Sequence, residues 1–330
     1  MKLATFEIRT DAGPVRRLGT LENGLLVDLR SACALHLREE KGVDDPYPIA
    51  TATVPDDMVA FFRNGEAGTS AIEAALAFLR GEKPDLAGPR GERVFYAEKD
   101  VRLLAPVPRP SSIRDFLTFE GHLRGVARVL GLKKAIPPLW HEIPSYYRGS
   151  VDHVIGPGEP VHWPAYTEKL DFELEIGVFI GRRGKDIRRE EAAEYIAGYT
   201  IFNDWSARDV QGDIMSLRMG PAKSKDFDAG NSMGPFLVTP DEIDAANLTM
   251  IARVNGEEWG RGNSGDMHYT FSDLIADVSR SETLEPGDFL ASGTVPGGCG
   301  LELDRWIRPG DVVELEVEGI GTLRNPVVRP

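Results

Sequence analysis

The sequence predicts an α+β protein in which β-structure predominates. The chain of 330 residues holds 35 Gly and 23 Pro, which favours turns and short strands over a helical bundle. Residues 170–180 alternate between apolar and acidic side chains, as a strand does. Further glycine-punctuated β-segments are predicted around 235–238, 249–254, 289–293 and 312–317.

The first 108 residues are predicted to form a small α/β domain. Short strands at 3–8 and 25–29 lie on either side of a turn near Asn23, and helices are predicted at 55–65 and 70–82. The segment 104–110 carries a proline at every second position from Pro106 to Pro110 and predicts a stiff connector. The predicted domains are therefore 1–108 and 109–330.

The second domain opens with an amphipathic pattern. Apolar residues recur from Phe116 to Leu130 at spacings of three and four, which predicts a helix ending near Gly131. Residues 133–165 have a loop-like composition, 189–197 predict a helix and 199–202 a strand. Ser206 and Asp209 fit a capping box, so a helix is expected to begin there.

Charge and cysteine content limit the function classes. The formal net charge of −14 argues against nucleic acid as a partner, because phosphate binding needs a basic surface. Cys33 and Cys299 are too far apart in sequence to suggest a disulfide framework, which favours a reducing compartment. The charged first nine residues do not fit a signal peptide, and no apolar run predicts a membrane span. A cytoplasmic protein is expected.

Three acidic residues of the 170–180 strand are the first candidates for a site. Asp171, Glu173 and Glu175 are two residues apart and share one face of the strand. Carboxylates packed this closely repel each other unless a cation lies between them. The spacing alone fits either a solvated strand face or a site for a hard cation.

Two further segments carry polar groups that suggest chemistry. Asp204 ends an apolar strand, where it serves either as a ligand or as a helix cap, and Arg208 and Gln211 share a helix face. Asp115 and His122 are seven residues apart and are expected to align along the predicted 116–130 helix. By itself, His122 fits a structural role as well as a catalytic one.

These motifs, in this order, resemble the fumarylacetoacetate hydrolase family over residues 100–330. The run 171–175 (Asp-Phe-Glu-Leu-Glu) is similar to its acidic metal-binding strand, and 203–211 (Asn-Asp-Trp-Ser-Ala-Arg-Asp-Val-Gln) is close to its signature. Lys225, the turn 292–294 (Ser-Gly-Thr) and the turn 309–311 (Pro-Gly-Asp) also fit. The resemblance implies a mixed β-roll for the second domain and a homodimer.

The resemblance also implies a metal centre with a catalytic histidine. Its carboxylate ligands would be Asp115, Glu173, Glu175 and Asp204. An all-oxygen anionic set suits Mg²⁺, Ca²⁺ or Mn²⁺ better than zinc. His122 would activate water, oriented by Glu302 or alternatively by Glu120, on a lid helix that Gly121 and Gly125 loosen.

The remaining candidates would face the substrate. Arg208, Gln211 and Lys225 match polar groups that contact substrate oxygens, and Thr294 belongs to the same pocket. Leu117 and Met215 stand where animal members have tyrosines, and Arg148 lies near the place of a substrate-binding arginine. These departures leave the exact acid open.

The predicted function is metal-dependent hydrolysis of a C–C bond in a 1,3-dicarbonyl or acylpyruvate acid from aromatic or amino-acid breakdown. The alternative on the same scaffold is a decarboxylase, or a hydratase or isomerase, of 2-oxo acids. A third possibility is an acidic metal-binding protein without activity. Retention of all four carboxylates together with His122, Glu302 and Lys225 argues against the third.

Overall fold

The computed structural model describes residues 1–82, 85–132 and 136–329. The helices are α1 (Leu29–Lys41), α2 (Tyr47–Thr53), α3 (Met58–Arg63), α4 (Gly65–Leu79), α5 (Glu120–Val129), α6 (Arg208–Met215), α7 (Phe271–Val278) and α8 (Gly300–Leu303). The strands are β1 (Lys2–Thr10), β2 (Gly13–Glu22), β3 (Leu25–Asp28), β4 (Phe95–Tyr96), β5 (Arg102–Leu103), β6 (Ser112–Phe116), β7 (Tyr146–Gly149), β8 (Val154–Ile155), β9 (Val161–His162), β10 (Leu170–Asp171), β11 (Leu174–Ile180), β12 (Gly184–Lys185), β13 (Ile196–Asp204), β14 (Ser206–Ala207), β15 (Asn231–Val238), β16 (Thr249–Val254), β17 (Glu257–Asn263), β18 (Thr283–Leu284), β19 (Asp288–Ala291), β20 (Val312–Val317) and β21 (Gly321–Val328). Short 3-10 helices are Glu98–Asp100, Pro138–His141, Arg189–Tyr195, Ala222–Ser224 and Ser264–Asp266.

One large mixed sheet runs through most of the molecule. Its strand order is β4-β3-β2-β1-β15-β13-β11-β19-β6-β7, with β5 paired to β1 and β8 to β15. Strand β1 pairs antiparallel with β15, placing Lys2 opposite Val238. The sheet is therefore continuous across the predicted boundary at residue 108, and the division into two domains stays a prediction.

The two faces of this sheet bury two different cores. Side chains of β11 alternate, so that Leu174 and Ile176 pack with a second sheet of order β17-β16-β20-β21-β9. On the opposite face, Phe179 packs with Phe202, Phe289 and the apolar side chains of α1 to α4. The first 80 residues thus cover one face of the sheet that the rest of the chain builds.

The predicted mixture of helix and strand with β predominant is confirmed. Strands β1, β3, β15, β16, β19 and β20 lie at or within a few residues of their predicted positions. Helix α1 was not predicted, although Asp28 caps it by accepting a hydrogen bond from the Ser31 N–H. Among the described residues, no helix is long and apolar enough to cross a membrane.

The predicted helix over 116–130 is wrong in its first part. Phe116 ends strand β6, which pairs in parallel with β19 and antiparallel with β7, and α5 begins only at Glu120. Sheet pairing with distant segments outweighs a local helical spacing. Asp115 and His122 therefore lie on a strand and a helix, not along one helix.

Other element predictions also need correction. The expected strand over 170–180 is interrupted between β10 and β11, and the expected helix at 189–197 is a 3-10 helix that leads into β13. The loop-like stretch 133–165 contains β7, β8 and β9. No capping box forms at Ser206, whose hydroxyl donates to the Asp204 carbonyl 3.1 Å away, while Asp209 accepts from Thr167 and Glu168.

Candidate active site

Four carboxylates meet where neighbouring strands of the large sheet end. Asp115 lies at the end of β6, Asp204 ends β13, and Glu175 lies near the start of the antiparallel strand β11. Glu173 immediately precedes β11. One oxygen of each of the four lies within 4.8 Å of the others, and all four residues are buried. The structure thus brings together the four predicted metal ligands.

The cluster has the electrostatics of a cation site. Asp115 Oδ1 and Asp204 Oδ1 are buried and have no hydrogen-bond partner among the described residues. Burial, reinforced by neighbouring carboxylates, raises the pKa of Asp115 and of Glu175 well above their ordinary values. Burying unpaired carboxylates is costly, and a hard divalent cation with an all-oxygen shell offsets that cost. The residues present therefore fit Mg²⁺, Mn²⁺ or Ca²⁺.

Lys225 and Arg208 partly neutralise this cluster. Lys225 Nζ contacts Glu173 Oε2 at 2.5 Å and also bonds to the Asp204 carboxylate. Arg208 Nη2 donates to Glu173 Oε1 at 2.8 Å. Burial disfavours ionised Glu173, but the two cations outweigh it and hold the pKa of Glu173 below its ordinary value. Glu173 is thus already paired, whereas no lysine or arginine in the described part of the chain forms an ion pair with Asp115 or Glu175.

Asp171 belongs to a different network from the one its spacing suggested. Its carboxylate accepts from Arg208 Nε at 2.8 Å and from the Gly300 and Leu301 N–H groups at 2.8 and 3.1 Å. It therefore fixes Arg208 and the start of α8, and it lies outside the four-carboxylate cluster. The chain between β10 and β11 breaks the strict two-residue alternation that would align Asp171 with Glu173.

Tyr147 is a site residue that the sequence reasoning missed. It lies directly opposite Asp115 in the β6–β7 pair, and its hydroxyl donates to Asp204 Oδ2 at 2.6 Å. The neighbouring Arg148 points away and pairs with Glu282 at 2.7 Å, so the structure does not bring the predicted arginine to the cluster. Recognising β7 as a strand would have separated these two neighbours onto opposite faces.

A buried histidine–glutamate pair lies beside the cluster. His122 Nδ1 on α5 is 2.6 Å from Glu302 Oε1 on α8. Glu302 Oε2 accepts from the Gly297 N–H at 3.1 Å. Glu120, the alternative partner, is bound instead to Arg124. Cys299, whose Sγ is 3.7 Å from Glu302 Oε1, forms a β-bridge with Glu173, so the pair adjoins the carboxylates.

Two glycines let α5 approach the segment that carries Glu302. A Cβ at Gly121 would lie 2.7 Å from Pro296 Cγ, and a Cβ at Gly125 would lie 2.2 Å from Glu302 Oε2. The face of α5 that carries these two glycines thus fits closely against α8 and the glycine-rich loop 292–299 (Ser-Gly-Thr-Val-Pro-Gly-Gly-Cys). Close packing accounts for both glycines in this structure, and the lid that they were expected to loosen stays a prediction.

Of the other predicted site residues, some contact the cluster or its ion pairs and others lie exposed at the surface. Thr294 Oγ1 donates to Glu175 Oε1 at 3.3 Å, and Gln211 Oε1 accepts from Arg208 Nη1 at 2.9 Å. Leu117 and Met215 are 40% and 53% exposed, at the end of β6 and the end of α6. Thr294 therefore helps to orient Glu175, one of the predicted metal ligands, whereas the apolar side chains of Leu117 and Met215 are exposed to solvent.

A family comparison now agrees with this geometry. The family described as "Fumarylacetoacetate (FAA) hydrolase C-terminal" matches residues 111–328. The chain belongs to the fumarylacetoacetate hydrolase family. This family membership confirms the predicted resemblance and makes the protein an enzyme of that superfamily.

Relatives in this family differ in the reactions for which they are named. Mitochondrial oxaloacetate tautomerase FAHD2A of Homo sapiens is 34% identical over 281 residues, covering 84% of this chain and 81% of the human protein. The solved fumarylacetoacetate hydrolase of Exiguobacterium antarcticum has a TM-score of 0.69 at 25% identity, covering 99% of this chain and 100% of that one.

A third structure of the same fold contains a metal. The maleylpyruvate hydrolase of Sphingobium sp. SYK-6, in complex with manganese(II) and pyruvate, has a TM-score of 0.69 at 24% identity. It covers 100% of this chain and 99% of that chain. The likeness to this structure concerns the fold.

Proposed function

We propose that this protein is a divalent-cation-dependent tautomerase that interconverts the enol and keto forms of a small 2-oxo dicarboxylic acid such as oxaloacetate. The observation that carries the proposal is the His122–Glu302 pair beside the four-carboxylate cluster. Enolisation requires stabilisation of charge on the carbonyl oxygen and one positioned base, and nothing else. The name of the 34% identical human relative supports the same reaction.

Asp115, Glu173, Glu175 and Asp204 would hold the cation. When bound, that cation would act as a Lewis acid on the carbonyl oxygen of the 2-oxo acid. Lys225 and Arg208 keep Glu173 ionised and place positive charge beside the oxygens of a bound acid. Tyr147 orients Asp204 through its 2.6 Å hydrogen bond.

His122 would move the proton. Glu302 holds Nδ1, which leaves Nε2 as the ring nitrogen available to the substrate. Nε2 would take the enol O–H proton and deliver it to C3, so that a C–H bond forms as the O–H bond breaks. The reverse reaction takes a C3 proton. Atoms balance within one molecule, and no water or second substrate is consumed.

The second candidate is the predicted hydrolysis of an acylpyruvate. The same His122–Glu302 pair would take a proton from water, following the base-plus-orienting-acid arrangement of hydrolytic triads. Hydrolysis has more steps than tautomerisation, because water must add to the carbonyl carbon, the C–C bond must break and the leaving carbon must be protonated. The similar fold of the Exiguobacterium antarcticum enzyme supports this candidate.

The decisive experiment follows oxaloacetate enol by its ultraviolet absorbance with Mg²⁺ or Mn²⁺ present. Two matched variants are compared with the unchanged chain: Glu302→Gln, which loses the charge that holds His122, and Glu120→Gln, which loses only the surface pair with Arg124. We expect Glu302→Gln to lower kcat about 100-fold and Glu120→Gln to leave it unchanged.

Parallel assays separate the alternatives. Pyruvate is measured in the oxaloacetate reaction to detect decarboxylation, and acetylpyruvate and fumarylpyruvate are tested for loss of diketone absorbance. Cation-dependent cleavage of an acylpyruvate without tautomerisation of oxaloacetate would replace the tautomerase with the hydrolase. Equal effects of the two glutamate variants would remove Glu302 from the mechanism. A homodimer and a cytoplasmic location stay predictions.

A further inference from the structure

We infer that His122, Cys299 and Glu302 form a second, inhibitory metal site that takes Zn²⁺. The three side chains come from α5, the glycine-rich loop and α8, and all are buried. One ligand atom of each lies within 4.8 Å of the others. This group is separate from the four-carboxylate cluster and offers one nitrogen, one sulfur and one oxygen.

The ligand chemistry distinguishes the two sites. Zinc is bound in proteins by Cys, His and carboxylate groups, whereas Mg²⁺ and Ca²⁺ take oxygen ligands. A tetrahedral zinc ion needs ligand atoms about 3.4 Å apart, given bonds of about 2.0–2.3 Å. Cys299 Sγ is already 3.7 Å from Glu302 Oε1. The 2.6 Å contact between His122 Nδ1 and Glu302 has to open by less than about 1 Å.

Charge also favours the ion in this buried position. Zinc would bind the thiolate, the Glu302 carboxylate and neutral His122, and one thiol proton would leave to solvent. The resulting group carries no net charge, which suits a buried site.

A cavity open to solvent reaches one of these ligands, Glu302. A cavity of about 330 Å³ lies between α5 and α8 and is lined by Gly121, Gly125, Arg128, Gly297 and Glu302. Arg124 also lines it but is bound to Glu120. The cavity therefore brings solvent to the Glu302 side chain, and none of the four cluster carboxylates lines it.

Zinc at this position would take His122 out of catalysis. The metal would occupy Nδ1 and displace the Glu302 hydrogen bond that orients the ring. This inhibition rests on the proposed role of His122 as the proton carrier, whereas zinc binding does not. Binding is therefore measured by a signal that is independent of turnover.

The test uses the full chain with excess Mg²⁺, which occupies the carboxylates. Co²⁺, used as a spectroscopic substitute for zinc, is added and the near-ultraviolet thiolate-to-cobalt absorption is recorded, followed by displacement with Zn²⁺. The matched variants are Cys299→Ser and Cys33→Ser, because Cys33 is equally buried but packs among α1 and α4 near the Ala71 carbonyl. Glu302→Gln tests the site without changing a cysteine.

We expect one equivalent of thiolate-bound metal in the unchanged chain and in Cys33→Ser. Cys299→Ser should lose the thiolate band and bind zinc about 100-fold more weakly, and Glu302→Gln should also weaken binding. Zinc should inhibit turnover in parallel. Absence of the band in the unchanged chain, or its loss in Cys33→Ser alone, would overturn the inference. A zinc-binding chain without tautomerase activity would refute only the proposed function.

Discussion

Lys225 forms ion pairs with two of the four clustered carboxylates. Its ammonium bonds to Glu173 and Asp204, while the nearby Lys223 is exposed and donates to the Asp226 carbonyl at 2.7 Å. Removing one partner of a buried ion pair leaves an unpaired charge, which costs about 3–5 kcal/mol. We expect Lys225→Met to lower the free energy of unfolding by about that amount, measured by urea denaturation with EDTA.

Lys223→Met is the control for that experiment. Surface charges contribute about 0–1 kcal/mol, so this variant should unfold close to the unchanged chain. Two equal losses of stability would show that Lys225 is not the main counter-charge of Glu173 and Asp204.

Single residues also show where sequence reasoning succeeded. Asp115, Glu173, Glu175 and Asp204 could be picked out because a family motif fixes their positions, and the structure brings them together. Tyr147 could not, because its role depends on which residue of β6 it faces. Register between strands distant in sequence is set by the whole sheet, not by a local pattern.

At the scale of elements, the close packing of helix α5 against α8 requires a glycine at position 125. A methyl group at Gly125 would lie 2.2 Å from Glu302 Oε2. We expect Gly125→Ala to push α5 away from α8, break the His122–Glu302 hydrogen bond and lower kcat about 100-fold. Steady-state kinetics and thermal unfolding of the variant measure both effects.

Gly212 provides the matched helical control. It lies within α6, and a Cβ there meets nothing within 4 Å. Gly212→Ala should therefore raise the free energy of unfolding by about 0.5–1 kcal/mol and leave kcat unchanged. A Gly125→Ala variant that behaves like Gly212→Ala would show that α5 adapts to the added methyl group.

Comparison of predicted and observed helices and strands shows where prediction from a local sequence pattern fails. Segments with strong period-two spacing, such as 312–317, were placed correctly because alternation and burial agree. The segment 112–129 was not, because apolar residues of β6 and α5 together imitate one helical stripe. Phe116 is buried by sheet packing and Phe119 as the residue before the helix, which spacing alone does not distinguish.

For the molecule as a whole, cation binding and pH are coupled. Burial, strengthened by adjacent carboxylates, raises the pKa of Asp115 and Glu175. Without a cation, these two carboxyl groups stay protonated in the folded chain at pH values, above about 4, at which they are ionised in the unfolded chain. The free energy of unfolding of the cation-free protein should therefore fall as pH rises through that range. A bound divalent cation replaces those protons, so its stabilising effect should grow with pH.

Thermal unfolding with Mn²⁺ and with EDTA measures this coupling. We expect the gain in Tm from Mn²⁺ to be larger at pH 8 than at pH 5.5. The gain in the free energy of unfolding should reach about 2.7 kcal/mol when the cation exceeds its Kd 100-fold. The double variant Asp115→Asn, Glu175→Gln should lose most of this gain. A gain that is equal at both pH values would contradict the raised pKa values of these carboxylates.

The continuous sheet limits how the N-terminal portion of this protein can be exchanged for that of a relative. Three of the four carboxylates share a strand face with an apolar residue two or four positions away. The pairs are Asp115 with Ile113, Asp204 with Phe202, and Glu175 with Phe179. The apolar members are packed under the helices of the first 80 residues. Although none of the four carboxylates comes from that region, its helices cover the apolar side chains that neighbour them along the strands. A chimaera that joins residues 109–330 to the N-terminal portion of a relative must therefore recreate this apolar packing to keep the four carboxylates in place.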